Sequence, residues 1–112
     1  MAKVVNREEF LKLPSGTIYC KGRRWYFEGI CIKRNSLANE WLYCNPAWVD
    51  AEGRDEALAR VEDSLANGTA YPCERGMSRD VAADEDALFL VFDHDDLLWL
   101  REQIDEAIRK ST

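Results

Sequence analysis

A chain of 112 residues with a net charge of −6 has the length of one globular domain and is too short for two independent cores. Its residues are 46% hydrophobic and 32% charged, a balance typical of folded proteins rather than disordered chains. The longest apolar run, residues 87–92, is far shorter than the roughly 20 residues of a membrane span, and the first residues contain no signal-peptide core. The composition therefore predicts a single cytoplasmic domain over residues 1–112 with no membrane contact.

The first third of the chain predicts a short helix and a hairpin. Asn6 precedes Glu9 by the spacing of a helix-capping pair, and Pro14 ends the predicted helix. Alternating residues 17–21 and the aromatic and β-branched residues 25–33 predict two strands. The turn between them is short, which favours antiparallel pairing.

The middle of the chain predicts a third strand and then a helix. Residues 40–45 have strand character and stop at Pro46, which cannot donate a ladder hydrogen bond. Residues 53–67 change to helical spacing, and Gly68 follows as a good C-terminal stop. The apolar positions of this predicted helix form one stripe: Ala57, Leu58, Val61 and Leu65.

The last third predicts a loop, a strand and a helix. Residues 71–86 lack periodicity and are interpreted as a long surface loop, with room for a short strand near its start. Residues 88–92 are continuously apolar, which is typical of a central strand, and Asp93 is positioned to cap a final helix. The predicted order is α-β-β-β-α-β-α. The predicted fold is α+β, a mainly antiparallel sheet of about four strands packed by two longer helices and a short N-terminal helix.

Charge is distributed unevenly along the chain. Residues 1–56 contain nine basic and eight acidic residues, a balance of +1, whereas residues 57–112 contain six and thirteen, a balance of −7. Acidic side chains bracket the predicted strand at 88–92, and such a surface attracts basic partners and repels nucleic acid. They are the predicted partner-binding residues: Asp80, Asp84, Glu85, Asp86, Asp93, Asp95 and Asp96. Helix capping explains part of the charge of the last three and leaves the other four without a structural role.

A basic and aromatic segment lies at the first predicted hairpin. Lys21, Arg23 and Arg24 precede Trp25 and its aromatic neighbours, a combination found in proteins that bind single-stranded nucleic acid. Basic residues also protect hairpin ends from aggregation, and aromatic residues of strands usually fill the core. With a negative net charge, the sequence predicts no direct nucleic-acid binding.

The sequence contains no catalytic, cofactor or metal motif that stands out. His94 is the only histidine, and it follows a predicted helix cap, where exposure is expected. The glycines are scattered singly and match no phosphate-binding loop. Carboxylates at Asp80, Asp84 and Asp86 lack the glycine of a calcium-binding loop. A zinc site is disfavoured because the cysteines form no close pair: Cys20, Cys31, Cys44 and Cys73. We therefore expect no cofactor and no metal.

An aromatic-lined pocket is the alternative hypothesis. A small enzyme or ligand-binding domain would need convergent aromatic side chains and a buried ionisable group. The candidate residues are Trp25, Phe27, Trp41, Tyr43 and Trp48. Ordinary core packing is the simpler interpretation of these residues. A homodimer formed through an exposed strand or the Trp-rich segment is compatible with either hypothesis.

Three segments of the chain resemble small phage and prophage accessory proteins. They are residues 9–19, with the sequence EFLKLPSGTIY, residues 67–69, with NGT, and residues 84–92, with DEDALFLVF. Compact acidic proteins of that class include inhibitors of bacterial defence, among them anti-CRISPR proteins. The resemblance implies a non-catalytic inhibitor that covers the nucleic-acid-binding surface of a basic host protein or nucleoprotein. Anti-CRISPR proteins share no common fold, so the resemblance implies no site residues.

Overall fold

A computed structural model describes residues 1–46, 53–71, 77–80 and 86–111. Its strands form one six-stranded sheet in which every pair of neighbours is antiparallel, in the order β1-β6-β2-β3-β4-β5. The α+β class and the antiparallel sheet are thus confirmed. In chain order the elements are β1 (Lys3–Asn6), α1 (Arg7–Leu11), β2 (Ile18–Arg23), β3 (Tyr26–Leu37), β4 (Glu40–Cys44), α2 (Arg54–Asn67), β5 (Met77–Asp80), β6 (Leu88–Val91) and α3 (His94–Lys110).

The prediction of about four strands and the order α-β-β-β-α-β-α was wrong in detail, because the sheet has two further strands. Both are four residues long and lie at the edges of the sheet: β1 precedes the first helix, and β5 lies within the stretch interpreted as a long loop with room for a short strand near its start. An edge strand is held through the backbone of one neighbour and needs no apolar alternation of its own. Neither segment therefore carries a recognisable strand pattern in its sequence.

The three predicted helices are confirmed at the residues that begin or end them. Asn6 accepts a hydrogen bond from the Glu9 amide at 2.9 Å and so caps α1. Gly68 ends α2 with a φ of 68°, a left-handed conformation that costs glycine no steric strain. Asp93 caps α3. In the described part of the chain, no helix is long and apolar enough to cross a membrane.

The core lies on one face of the sheet and is closed by α1. Phe10 of α1 is fully buried and stacks on Phe89 of β6, with 4.0 Å between the ring centroids. Its ring also meets Tyr19 of β2 and Trp41 of β4 edge-on, at 4.6 Å and 5.1 Å. The Trp41 indole Nε1 donates to the Tyr19 hydroxyl at 2.9 Å, which satisfies both buried polar groups.

A buried lysine fastens the chain after α1 to this core. Lys33 of β3 is 1% exposed, and its Nζ donates to the Leu13 carbonyl at 2.9 Å and to the Ser36 hydroxyl at 2.8 Å. The Ser36 hydroxyl in turn donates to the Leu11 carbonyl at 2.8 Å. These bonds satisfy carbonyls at the C-terminal end of α1, where a cation is favourable. Burial lowers the pKa of Lys33.

The opposite face of the sheet is apolar and only partly covered. Ile18, Ile30 and Ile32 lie there, and α3 flanks them with Leu97 and Leu100. An apolar groove of about 700 Å³ separates the strands from the helix. Among the described residues, no side chain of α2 or α3 is fully buried.

Replacing Tyr19 with Phe is expected to change how stability depends on pH. Burial raises the pKa of Tyr19 far above the usual 10.0, so its phenol stays protonated in the fold while unfolded chains ionise. The stability from this group is complete below pH 10.0 and falls as pH rises above it. Between about pH 10 and about pH 11, the wild type should lose about 1 kcal/mol relative to Tyr19→Phe.

Urea unfolding followed by tryptophan fluorescence at each pH measures this difference. Tyr26→Phe, which removes a phenol that is 45% exposed, is the control and should keep the wild-type dependence. Parallel curves for the wild type and Tyr19→Phe would contradict the prediction.

Candidate functional site

The structure places the described members of the predicted acidic set at three separate locations. Asp80 lies on the core face of β5, Asp86 lies just before β6, and the remaining described carboxylates lie at the start of α3. About 20 Å of backbone separates the two ends of a strand such as the one between Asp86 and Asp93. Asp84 and Glu85 are outside the described residues. The described carboxylates therefore do not form one continuous patch, and their role in partner binding stays a prediction.

Asp80 is paired within the protein. Its carboxylate lies 3.1 Å from the Lys21 ammonium, and its side chain is 15% exposed. The two residues belong to β5 and β2, which stand three positions apart in the sheet, so their side chains bridge the intervening strands. The Lys21 ammonium also lies 5.8 Å from the centre of the Trp41 ring. Asp80 thus helps to close the core face of the sheet.

Asp86 shares a groove with the basic hairpin between β2 and β3. It is exposed, and the same groove is lined by Arg23, Arg24 and Trp25. Trp25 is 76% exposed and lies in the turn before β3, so the predicted strand begins one residue later and the core-packing interpretation of Trp25 was wrong. Its ring centroid is 6.0 Å from that of Tyr26, which is also exposed. The carboxylate of Asp86 offsets part of the positive charge here, which weakens the hairpin as a nucleic-acid site.

The side chains of Asp93 and Asp96 form hydrogen bonds that cap the N-terminal end of α3. The Asp96 amide donates to the Asp93 carboxylate at 3.0 Å, and the Asp93 amide donates to the Asp96 carboxylate at 3.2 Å. This reciprocal pair is a capping box. The N-terminal ammonium of Met1 also binds the Asp93 carboxylate. Both residues have a structural role, whereas Asp95 beside them is exposed.

One side of α3 carries a tryptophan beside carboxylates. Trp99 is 60% exposed and lies away from Leu97 and Ile104 on the helix, and its partly covered side lines a small cavity of about 250 Å³ with Ile30, Phe92 and Leu100. Asp95 is four residues before it and Glu102 three residues after it, so all three lie on one helical stripe. Glu106 continues this stripe one turn further, where it forms an ion pair of 3.0 Å with Lys110. We call Asp95, Trp99, Glu102 and Glu106 the α3 stripe.

This arrangement is suited to binding a basic surface. An exposed indole offers a large apolar contact area with few rotatable bonds, and it is enriched at the centres of protein interfaces. The carboxylates on either side can accept charge-assisted hydrogen bonds from Arg or Lys of a partner. Asp95 and Glu102 are exposed, so they can meet such groups without leaving an internal hydrogen bond.

The ionisable groups inside the core face are poor candidates for catalysis. Burial, with a smaller contribution from the charge of Asp80, raises the pKa values of Cys31 and Tyr43. A thiol and a phenol held in their protonated forms are weak nucleophiles at neutral pH. In residues 1–46, 53–71, 77–80 and 86–111, no three His, Cys, Asp or Glu side chains gather as they would around a metal ion.

The aromatic residues of the alternative hypothesis lie in different environments. Trp41 is fully buried against Phe10 and Phe89, as ordinary core packing requires. Tyr43 is partly buried beside it, whereas Trp25 is exposed at the hairpin turn. Trp48 is outside the described residues. The described members of this set therefore do not surround a common pocket.

The sequence interpretation missed Trp99, although a signal for it exists. In the sequence of the last helix, the apolar face is formed by positions 97, 100, 104 and 107/108, and position 99 falls outside it. A large aromatic side chain opposite the apolar stripe of an amphipathic helix points away from the core. Helical geometry alone thus identifies Trp99 as an unusual surface residue, before any contact is known.

Replacing Asp93 with Ala is expected to lower the free energy of unfolding by about 1 kcal/mol, because α3 loses its N-cap. The matched change Asp95→Ala should cost less than about 0.5 kcal/mol, since the Asp95 side chain makes no part of the capping box. Urea unfolding followed by circular dichroism measures both. Equal losses of unfolding free energy in the two variants would contradict the assignment of a structural role to Asp93 alone.

No protein family, curated protein or solved structure matches this chain. Its function must therefore be inferred from its own residues and their geometry. Among the described surfaces, the α3 stripe combines an exposed aromatic side chain with free carboxylates.

Proposed function

We propose that the protein is a non-catalytic binding module of the phage inhibitor type, which uses an acidic surface to engage the basic, nucleic-acid-binding surface of a host protein. The observation that carries this proposal is the 60% exposure of Trp99 between the carboxylates of Asp95 and Glu102. Asp84 and Glu85, which lie outside the described residues, contribute a second acidic contact with the same partner.

The exposed tryptophan favours a protein partner. Exposed tryptophan side chains gain free energy when a partner removes them from water, at roughly 25 cal/mol per Å² of apolar area. Interface hot spots are enriched in Trp and are surrounded by polar residues that exclude water once the complex has formed. The α3 stripe has this composition on a single helix, with Trp99 at its centre.

The charge of the chain favours a basic partner. A net charge of −6 increases the encounter rate with positive surfaces and repels nucleic acid. Carboxylates spaced along a helix can occupy positions that phosphates take on a nucleic-acid-binding protein. The resemblance to phage accessory proteins supports the same conclusion, because inhibitors of that class cover such surfaces.

A capture experiment with matched variants tests the proposal. The wild type, Trp99→Ala and the double variant Asp95→Lys/Glu102→Lys are immobilised and exposed to a bacterial lysate, and bound proteins are identified by mass spectrometry. We expect a basic nucleic-acid-binding protein on the wild type, released by heparin or raised salt. Affinity of the purified partner for Trp99→Ala should fall by roughly 30-fold, the equivalent of about 2 kcal/mol.

The control variant makes the same change in net charge at positions outside the α3 stripe. Glu8→Lys/Glu28→Lys alters the net charge equally at exposed positions outside the α3 stripe and should retain the partner. A partner that binds the stripe variants as tightly as the wild type would contradict the α3 stripe as the contact. A partner that is neither basic nor displaced by heparin would contradict the proposed function.

A further inference from the structure

Helix α2 carries an apolar stripe that nothing covers in the described structure. Leu58, Val61 and Leu65 follow one another at helical spacing and are 50%, 41% and 82% exposed. A helix in water normally gains its stability by packing such a stripe against a core. We therefore expect the apolar stripe of α2 to pack against another apolar surface.

The groove between α3 and the sheet is a surface of matching character. Its strand side is formed by Ile18, Ile30 and Ile32, and its helix side includes Leu100 and Ile104. Ile30 is 37% exposed and Ile104 58% exposed, so a packing partner could still cover both. An apolar face of this kind on both a sheet and a helix is typical of a protein interface.

Charges at the borders of the two surfaces are complementary. Exposed Arg101 of α3 lines the groove. On α2, Asp55 and Glu62 are seven residues apart, so they lie along one edge of the apolar stripe, and both are exposed. A helix placed in the groove with this edge toward α3 would bring a carboxylate to the guanidinium.

The apolar stripe of α2 stays exposed in its own chain, and the chain as a whole is less compact than a globular domain of its length. The radius of gyration is 16.4 Å, whereas a compact domain of this length has about 13 Å. A protomer that packs one helix on a second copy has this property, because its own core stays incomplete until the copies meet.

From the unmatched stripe and the matching groove, we propose that the protein forms a homodimer in which α2 of each copy packs into the groove between α3 and the sheet of the other copy. The contact occurs twice about a two-fold axis, so each protomer both contributes a helix and receives one. Trp99 lies at the border of the groove, where it lines a smaller cavity with Ile30 and Leu100, whereas Asp95 and Glu102 lie on the side of α3 away from the groove and stay exposed in each copy. The inference does not depend on the proposed function.

Sedimentation equilibrium of the purified chain tests the dimer. The wild type is expected at twice its mass of 12.9 kDa. Val61→Glu on α2 and Ile104→Glu in the groove should each weaken self-association by roughly 100-fold, because each buries an unpaired charge in both contacts. Both sites are exposed in the single chain, so circular dichroism should show that each variant remains folded.

Mixing the two variants distinguishes a dimer in which α2 enters the groove of the other copy from other dimers. Val61→Glu keeps an unaltered groove and Ile104→Glu keeps an unaltered α2, so a mixed dimer can form one intact contact. The average mass of the mixture should therefore exceed that of either variant alone. Ala59→Glu and Gln103→Glu place the same charge on other sides of α2 and α3 and should stay dimeric. A monomeric wild type, a dimer that survives either Val61→Glu or Ile104→Glu, or a mixture that stays monomeric would overturn the proposal.

Discussion

The insertion of Phe10 into the sheet is the contact on which the rest of the structure depends. One ring from a five-residue helix meets side chains of three strands, with Phe89 stacked against it and Tyr19 and Trp41 edge-on. A helix this short is not stable alone, because nucleation uses most of its residues for few hydrogen bonds. The cap at Asn6 and the buried ammonium of Lys33 hold its two ends, so the helix and the sheet require each other.

Closing the core face in this way removes its side chains from contact with a partner. Thiols and phenols that could serve chemistry are enclosed beside the aromatic cluster and held protonated. Asp80 is paired with Lys21. The groups available to a partner include those on the long helices, which are an exposed aromatic side chain beside free carboxylates on α3 and the apolar stripes of α2 and α3. Both proposals rest on side chains that do not contribute to the core.

Local signals predicted the helices well because their causes lie within a few residues. Asn6, Gly68 and Asp93 act on backbone groups three or four positions away, so their roles are visible in the sequence. The edge strands were not visible, since β1 and β5 exist through pairing with β6 and β4, which are distant in the chain. Trp25 was misplaced for a related reason: a strand and its turn share the same aromatic composition, and the register decides where the turn begins.

By itself, the sequence determined the fold class, the helix boundaries, the excess of negative charge and the absence of a recognisable catalytic motif. Each follows from composition or from spacing along one element. Only the tertiary structure decided which carboxylates are free, because that depends on contacts between distant segments: Asp80 meets Lys21 across the sheet, whereas Asp95 meets no core group and flanks Trp99. A residue's charge is encoded locally, but its availability to a partner depends on what the fold has placed beside it.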